Sequence, residues 1–245
     1  MALLEIDNLT KRFGGLIAVD GCTFSVEERS ITALIGPNGA GKTTVFNLVS
    51  GVLPVDTGKM IFNGEHIESL PPHKITRKGL SRTFQISRDL TEMSVIENLI
   101  VHSPTQNLLD LLKGSILKRE LDQAMELLDF VGITHLANAK AKSLSYGQKK
   151  LMEFAATLIT EPRMILLDEP AGGINPALLE NIMEKITDVN KRGVTFLIVE
   201  HNMDVVMNLC DPVIVMAYGK VLAQGTPDAV QNDPQVLDAY LGDGS

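Results

Sequence analysis

The sequence predicts an α/β fold with a parallel sheet organised around a phosphate-binding loop. The first indication is residues 36–43, which match the pattern G-x-x-x-x-G-K-[ST] at every fixed position. The second is their context, since a short apolar run, Ile31–Ile35, precedes them and residues 44–49 after them predict a helix. The third is a pair of continuous apolar runs, residues 164–167 and Thr195–Val199. Strands that are apolar on both faces belong to a parallel sheet covered by helices.

The composition of residues 36–44 fits the binding of phosphate groups. Glycines let backbone N–H groups turn towards phosphate oxygens, and the start of the next helix adds the positive end of its dipole. Lys42 can reach the β- and γ-phosphates of a nucleotide, and the Thr43 hydroxyl can ligate Mg²⁺. The predicted nucleotide-binding residues here are Gly36, Pro37, Asn38, Gly39, Ala40, Gly41, Lys42, Thr43 and Thr44.

The first 90 residues are rich in predicted strands, and they indicate an antiparallel sheet beside the nucleotide. Residues 4–9 alternate imperfectly between apolar and polar side chains, and we interpret them as an edge strand. The other predicted elements follow turn and proline signals. They are a turn at 13–15, a strand within 18–26, a strand at 60–62, a tight turn at 63–64, a short helix from 71 and a return towards the core over 80–85.

From Ser94 to about Ile133 the apolar residues recur at helical spacing, which predicts a helical subdomain inserted into the α/β body. A helix at residues 176–189 is predicted between the two apolar runs. A hairpin around Tyr218-Gly219 and a helical tail from Pro227 follow. The chain is thus predicted to be a single domain, residues 1–245. Its parts are an α/β body (1–90 and 160–225), a helical subdomain (91–159) and a C-terminal helical tail (226–245).

Composition narrows the class of protein. Hydrophobic residues make up 44% of the 245 residues, which is enough for a sizeable core, and the net charge of -8 argues against a nucleic-acid partner. Cys22 and Cys210 lie far apart without metal-ligand spacing, so we expect two buried thiols in a reducing compartment. The N-terminus lacks the features of a signal peptide, and no uncharged apolar run reaches about 18 residues, so we expect no membrane-spanning segment.

Further polar residues stand where predicted strands or helices meet loops. Asp168 ends the run 164–167, where it could hold Mg²⁺ directly or through water, and Glu169 follows as a candidate general base that activates water. Gln85 and His201 each follow an apolar strand. Residues 144–148, L-S-Y-G-Q, precede a helix predicted to begin near Lys149. Ser145 in this segment could cap that helix and also contact phosphate, since a helix start binds anions.

These motifs, in this order, resemble those of the nucleotide-binding subunits of ABC transporters, and the resemblance extends from Leu4 to Leu241. Residues 144–148, here called the signature segment, resemble the family signature L-S-G-G-Q, with Tyr146 as a departure at the third position. Residues 171–175 resemble the D-loop of the family, with Asn175 where many members carry aspartate.

The resemblance implies a role for each matching residue. Phe13 would stack on adenine, and Gln85 would contact Mg²⁺ and link it to the helical subdomain. Lys42 would stabilise charge on the phosphates, Glu169 would polarise the attacking water, and His201 would contact the γ-phosphate and help to place that water. The family closes as a head-to-tail dimer on two Mg-ATP. The residues that would bind the nucleotide of the other subunit are Ser145, Gly147 and Gln148.

The resemblance also implies an ATPase that drives a membrane importer. Residues 82–85, Asn175-Pro176 and the tail at 225–241 resemble the subfamily that serves branched-chain amino-acid importers. Close relatives of that subfamily serve urea or amide import, or lipopolysaccharide export. The expected ligands are ATP and Mg²⁺. The expected partners are membrane-spanning permease subunits, a second ATP-binding subunit and, indirectly, a periplasmic or extracellular substrate-binding protein. No nucleic-acid partner is expected. The expected location is the cytoplasmic face of the inner membrane.

Two other classes stay open at this point. A soluble ABC ATPase acting on DNA would carry long coiled coils between the two halves of the site, whereas this chain has only about a hundred residues there. Members of the family that act on ribosomes usually carry two cassettes in one chain, and this chain has one. A small-molecule kinase would explain residues 36–43 but would leave the signature segment without a role.

Overall fold

The computed structural model describes residues 1–83, 90–103 and 118–241. Its strands are β1 (Ala2–Phe13), β2 (Leu16–Glu27), β3 (Ile31–Ile35), β4 (Thr57–Phe62), β5 (Glu65–His66), β6 (Leu80–Arg82), β7 (Met164–Asp168), β8 (Thr195–Val199), β9 (Val213–Ala217) and β10 (Lys220–Gly225). Its helices are α1 (Lys42–Val49), α2 (Pro72–Arg77), α3 (Val95–Ile100), α4 (Lys118–Phe130), α5 (Tyr146–Leu158), α6 (Pro176–Lys191), α7 (Met203–Leu209), α8 (Pro227–Gln231) and α9 (Pro234–Leu241).

The strands form two sheets. The larger has the order β10-β9-β3-β8-β7-β6, in which only β10 runs antiparallel to its neighbour. Every residue of β3, β7, β8 and β9 is buried. Alternate residues enter different cores, since Phe196 and Ile198 pack in one cluster with Ile182 of α6, whereas Leu197 packs in the other with Phe46 of α1. The parallel sheet predicted from continuous apolar runs is confirmed.

The smaller sheet is antiparallel, with the order β2-β1-β4-β5. The prediction that residues 4–9 form an edge strand is wrong, because β1 pairs with β2 on one side and with β4 on the other. The alternation arises because one face of this sheet is exposed, as the side chains of Glu5 and Asp7 show. The tight turn predicted at Asn63-Gly64 is confirmed, with φ of 50° and 76° as a two-residue hairpin requires.

Helices α3, α4 and α5 pack against one another. They lie within residues 91–159, for which a helical subdomain was predicted, and are here called the helical part. Residues 104–117, for which helical structure was also predicted, lie outside the described residues. Helix α5 begins at Tyr146, earlier than the predicted start near Lys149, because Ser145 adopts an extended conformation and caps the helix. The division of the chain into body, helical subdomain and tail stays a prediction.

The remaining elements agree with the sequence. Helix α6 begins at Pro176, the β9–β10 hairpin turns at Tyr218-Gly219, and two short helices form the tail after Pro227. Both cysteine thiols are buried, and burial raises the pKa of Cys22 and of Cys210 to about 12. In the part of the chain that the structure describes, no helix combines the length and apolar character needed to cross a membrane.

Candidate active site

The phosphate-binding loop, residues 36–41, joins β3 to α1 and presses its backbone against both sheets. Gly36 has φ of 148°, and a Cβ there would lie 2.0 Å from the carbonyl oxygen of Met216 in β9. Gly41 has φ of 102°, and a Cβ there would lie 2.5 Å from the carbonyl oxygen of Ala18 in β2. Only glycine fits such close approaches with positive φ. Because these two glycines have no side chains, the loop backbone can contact a strand of each sheet.

Lys42 is the first residue of α1, its side chain reaches back into the phosphate-binding loop, and it is only 5% exposed. Its ammonium donates hydrogen bonds to the carbonyl oxygens of Gly36 at 2.7 Å and Pro37 at 2.9 Å. Burial lowers the pKa of Lys42, and the negative charges of Glu169 and Asp168 partly oppose this effect. The loop therefore holds a positive charge towards the carboxylates at the end of β7.

Asp168 ends β7 and is buried, so its charge needs a partner. Its Oδ2 accepts a hydrogen bond from Nη2 of Arg82 in β6 at 2.8 Å. The guanidinium also donates from Nη1 to Asn47 Oδ1 at 2.7 Å and Ser50 Oγ at 3.1 Å, at the end of α1. Arg82 thereby ties the predicted metal ligand to the helix that follows the phosphate-binding loop. Sequence reasoning assigned no site role to Arg82, although a charged residue that ends a core strand was the available signal.

Glu169 and His201 come together at the ends of two neighbouring strands. Glu169 has φ of 49°, which is uncommon for a residue other than glycine and is often found at functional sites. Its N–H donates to the carbonyl of Val199 at 2.9 Å, which places it beside the end of β8. His201 Nε2 lies 3.2 Å from Glu169 Oε1, and both side chains are partly exposed to solvent. The candidate base and the candidate γ-phosphate contact therefore form one pair.

Glu200 is a site residue that sequence reasoning missed. It is buried, and its Oε2 accepts hydrogen bonds from the backbone N–H groups of His201 at 2.8 Å and Asn202 at 2.9 Å. Its Oε1 accepts from the N–H of Ala171 in the D-loop at 2.7 Å. One carboxylate thus joins the loop that follows Glu169 to the segment that contains His201. The available signal was an acidic residue directly after a buried apolar strand, the position that Glu169 has after β7.

The signature segment forms the start of α5. Ser145 Oγ accepts from the N–H of Gln148 at 3.3 Å, while Gln148 Oε1 accepts from the N–H of Ser145 at 2.9 Å. This reciprocal pair is a capping box, so the predicted N-cap role of Ser145 is confirmed. Gly147 lies against α6, since a Cβ there would be 2.3 Å from Leu178 Cδ2. Nucleotide binding by Ser145, Gly147 and Gln148 stays a prediction.

Two other predicted residues lie away from this centre or outside the described chain. Phe13 is 46% exposed at the end of β1, with Lys11 Nζ 5.7 Å from its ring centroid. Its hairpin partner β2 meets the phosphate-binding loop through Ala18. Gln85, predicted to contact Mg²⁺, lies outside the described residues.

Thr43 and Thr44, also predicted to bind the nucleotide, follow Lys42 in the first turn of α1, and Thr43 is exposed.

The fold and the site define the class of protein. A glycine-rich loop between a buried strand and a helix surrounds the ammonium of a lysine. Two adjacent carboxylates stand at the end of β7, the last residue of the strand and the residue after it, and β8 lies between β7 and β3 in the sheet. This is the arrangement of a phosphate-loop nucleotide-binding protein. In the described residues, no group of three or more His, Cys, Asp or Glu side chains could hold a metal ion by itself.

Comparison with known proteins narrows this class to one family. The family model described as ABC transporter matches residues 19–172, and the model described as branched-chain amino acid ATP-binding cassette transporter matches residues 220–245. The high-affinity branched-chain amino acid transport ATP-binding protein BraF of Pseudomonas aeruginosa is 43% identical over 250 residues, covering 98% of each chain. The probable branched-chain amino acid transport ATP-binding protein LivG of Archaeoglobus fulgidus is 41% identical, covering 99% of this chain and 96% of the relative.

Solved structures agree with this result. A nucleotide-free ATP-binding cassette from an ABC transporter superposes with a TM-score of 0.88 at 36% identity, covering 98% of this chain and 99% of that one. The ADP conformation of such a cassette gives the same TM-score and identity. The chain belongs to the ABC transporter family, as a nucleotide-binding ATPase subunit. The predicted family and the predicted phosphate-loop α/β fold are confirmed.

Glu200→Gln tests whether this carboxylate positions the catalytic segments. An amide oxygen can still accept from His201 and Asn202, but its NH₂ group then faces the N–H of Ala171, donor against donor. The loss of a hydrogen bond to a charged group, about 1.5–3 kcal/mol, corresponds to roughly a tenfold to hundredfold fall in ATPase kcat. ATP affinity should be retained because Lys42 is untouched. Steady-state phosphate release and nucleotide titration measure the two quantities.

The matched control is Glu184→Gln, which removes a charge from an exposed position of α6. We expect its kcat to equal that of the wild type. Wild-type kcat in Glu200→Gln would contradict the positioning role of Glu200.

Proposed function

We propose that this chain is the ATP-hydrolysing subunit of a membrane importer for branched-chain amino acids. The observation that carries the hydrolytic part is the Glu169–His201 pair, 3.2 Å apart at the ends of β7 and β8. The substrate is supported by the names of the relatives and by the branched-chain family model at residues 220–245.

ATP is the substrate of the phosphate-binding loop. The Lys42 ammonium is bonded to the carbonyls of Gly36 and Pro37, and phosphate oxygens are stronger acceptors that would replace them. The N–H groups at the start of α1 would donate to the same phosphates. The half-exposed ring of Phe13 would stack on the adenine base.

Hydrolysis proceeds by in-line attack of water on the γ-phosphate: the water oxygen forms a bond to the γ-phosphorus, the bond from that phosphorus to the bridging oxygen breaks, and ADP leaves with that oxygen. Glu169 accepts the proton of the attacking water, and His201 restrains the carboxylate through its Nε2 and contacts the γ-phosphate. Lys42 stabilises the negative charge that spreads over the phosphate oxygens. The backbone of Glu169, held at positive φ by its bond to Val199, aims the carboxylate.

Residues of the site fit a Mg²⁺ ion. Mg²⁺ usually takes one or two protein oxygens together with waters and substrate phosphates. Thr43 offers an exposed hydroxyl, and Asp168 offers Oδ1, since its Oδ2 already bonds Arg82. When bound, the metal would neutralise charge on the β- and γ-phosphates. A contribution from Gln85 to this site belongs to the same proposal.

The signature segment serves the nucleotide of a second ATP-binding subunit. It lies at the start of α5 in the helical part, whereas Lys42 lies in the α/β body, and the side chain of Ser145 is engaged with Gln148 of its own cap. The positive end of a helix that begins with a hydroxyl suits the phosphates of ATP. Two chains arranged head to tail would form two such composite sites related by a two-fold axis.

A groove between the α/β body and the helical part is the proposed contact with the permease. The groove encloses about 250 Å³, and its walls include Thr76 of α2, Arg82 of β6, Asn98 of α3 and Met152 of α5. An intracellular segment of the permease in this groove would touch Arg82, which holds Asp168. The chain would then lie at the cytoplasmic face of the cell membrane, and a substrate-binding protein would act on the other side.

Glu169→Gln tests the assignment of the general base. The substitution keeps the size and hydrogen-bonding ability of the side chain but removes the carboxylate. We expect the hydrolysis rate to fall by about 10²–10⁴-fold, the usual contribution of a general base. ATP affinity should survive, and the ATP-bound dimer should persist because hydrolysis is its exit route. Phosphate release and size-exclusion chromatography with and without ATP measure these outcomes, with the second ATP-binding subunit present where it is a different chain.

The control for this experiment is Glu180→Gln, an exposed position of α6, which should hydrolyse ATP at the wild-type rate. Retained turnover in Glu169→Gln would refute the role of Glu169. A species that stays monomeric at saturating ATP, with both candidate subunits present, would refute the dimer.

Uptake of labelled leucine, isoleucine and valine tests the substrate. Cells that lack this chain should lose high-affinity uptake of all three, and the wild-type gene should restore it. The Glu169→Gln gene should not restore it, because the chain would bind ATP without turning it over. Unchanged uptake in cells lacking the chain, with loss of a different nutrient, would contradict the assigned substrate.

A further inference from the structure

We propose that Tyr146 is a positioning residue that connects the signature segment to the D-loop of the same subunit and through it positions Glu169. The inference rests on the proposed function, in which the signature segment binds nucleotide and Glu169 activates water. The family signature has glycine where this chain has Tyr146, so the connection depends on a side chain that the usual signature lacks.

The contact between Tyr146 and the D-loop combines a hydrogen bond with ring packing. The Tyr146 hydroxyl donates to the carbonyl oxygen of Gly172 at 3.1 Å. The ring lies against Gly173, since a Cβ added there would be 3.2 Å from Tyr146 Cε1. Gly173 has φ of 71°, so a side chain at this position would be strained as well as crowded. Glycine at position 173 therefore lets the ring lie directly against the D-loop backbone.

Neighbouring contacts pack the signature segment against the helix that follows the D-loop and support the Tyr146 ring. Gly147, the next residue of the signature segment, lies against Leu178 at the start of α6, where a Cβ would be 2.3 Å from Leu178 Cδ2. Lys150 Nζ lies 5.7 Å from the centroid of the Tyr146 ring, one turn further along α5. Tyr146 is 53% exposed. Its ring thus serves this contact between segments and contributes little to a hydrophobic core.

The D-loop continues this contact to Glu169. The N–H of Gly172 donates to the carbonyl oxygen of Glu169 at 3.0 Å, so both peptide groups of Gly172 are engaged, one by Tyr146 and one by Glu169. A Cβ added at Gly172 would lie 3.9 Å from Glu169 Oε2. On the other side, Ala171 is fixed by Glu200. A shift of the signature segment would therefore displace the Gly172 peptide, because Tyr146 is bonded to it. Since Glu200 holds Ala171 in place, the displacement would pass to Glu169 through its bond to Gly172 and change the direction of the carboxylate.

This connection joins the two nucleotide sites of the proposed dimer. The signature segment of one subunit contacts the ATP that its partner holds, whereas Glu169 acts on the ATP of its own subunit. The contacts of Tyr146 connect the signature segment to Glu169. Binding of the signature segment to the partner's ATP would therefore favour the position of Glu169 from which it acts on the ATP of its own subunit.

The test uses the ATPase complex purified from membranes through a tag on this chain. Tyr146→Phe removes the hydroxyl and keeps the ring. We expect kcat to fall about threefold to tenfold, as the loss of one neutral hydrogen bond predicts, with KM for ATP unchanged. Tyr146→Gly restores the usual family signature, yet it should lower kcat at least as far because it removes the ring too. The control is Thr187→Val, which deletes a hydroxyl that bonds the Met183 carbonyl at 2.9 Å within α6 and should keep wild-type kcat.

A double-mutant cycle separates positioning of Glu169 from a merely structural effect. If Tyr146 acts through Glu169, Tyr146→Phe should cause no further loss in the Glu169→Gln background, where the base is already gone. Full additivity of the two losses overturns the proposal, as does wild-type kcat in Tyr146→Phe. A raised KM with unchanged kcat overturns it too, since that result assigns Tyr146 to nucleotide binding. A wild-type complex without ATPase activity would instead refute the proposed function.

Discussion

The phosphate-binding loop can lie between the two sheets only because Gly36 and Gly41 have no side chains. The carbonyl of Met216 in β9 and the carbonyl of Ala18 in β2 occupy the space that Cβ atoms would need. This close approach fixes the antiparallel sheet against the parallel sheet at the loop. It also determines the position of Lys42, whose ammonium the loop surrounds, and of the β1–β2 hairpin with Phe13 at its turn.

Two charged side chains with little exposure to solvent, Arg82 and Glu200, then connect the parts of the site that lie far apart in sequence. Arg82 joins Asp168 to the end of α1, and Glu200 joins the D-loop to the backbone of His201. Burying a charge is costly unless several hydrogen bonds compensate for it. Glu200 accepts three hydrogen bonds and the two terminal nitrogens of Arg82 donate three, although the buried Nε of Arg82 has no partner among the described residues. Such groups hold a definite geometry because removing any one partner would leave a buried charge poorly solvated. Tyr146 adds the signature segment to the same set of contacts.

The sequence predicted those parts of the fold that have a local signal. Continuous apolar runs identified β7 and β8, and a fixed spacing of glycine, lysine and threonine identified the phosphate-binding loop with its flanking strand and helix. The alternation of apolar and polar side chains in β1 led to the wrong prediction of an edge strand. Such alternation shows that one face of a sheet is exposed, but it does not show how many strands pair with β1.

The contacts within the site could not be predicted in the same way. Glu169 and His201 meet because β7 and β8 are neighbours in the sheet, which is a matter of tertiary topology. No local pattern identifies the partners of Arg82, which are Asp168, Asn47 and Ser50, or the bond of Glu200 to Ala171, because these partners lie in other segments of the chain. The contact of Tyr146 with Gly172 likewise depends on how α5 meets α6, although the departure from the family signature marked the position.

The composite site is tested most directly by photo-crosslinking from a position beside the signature segment. A maleimide-benzophenone reagent attached at Ser143→Cys, an exposed position two residues before Ser145, in the Glu169→Gln chain will report on that position alone, because the thiols of Cys22 and Cys210 are buried. ATP should produce a crosslink from this position to the phosphate-binding loop of a second ATP-binding subunit, identified by mass spectrometry. Crosslinks that stay within the labelled chain, or that form equally without ATP, would contradict it.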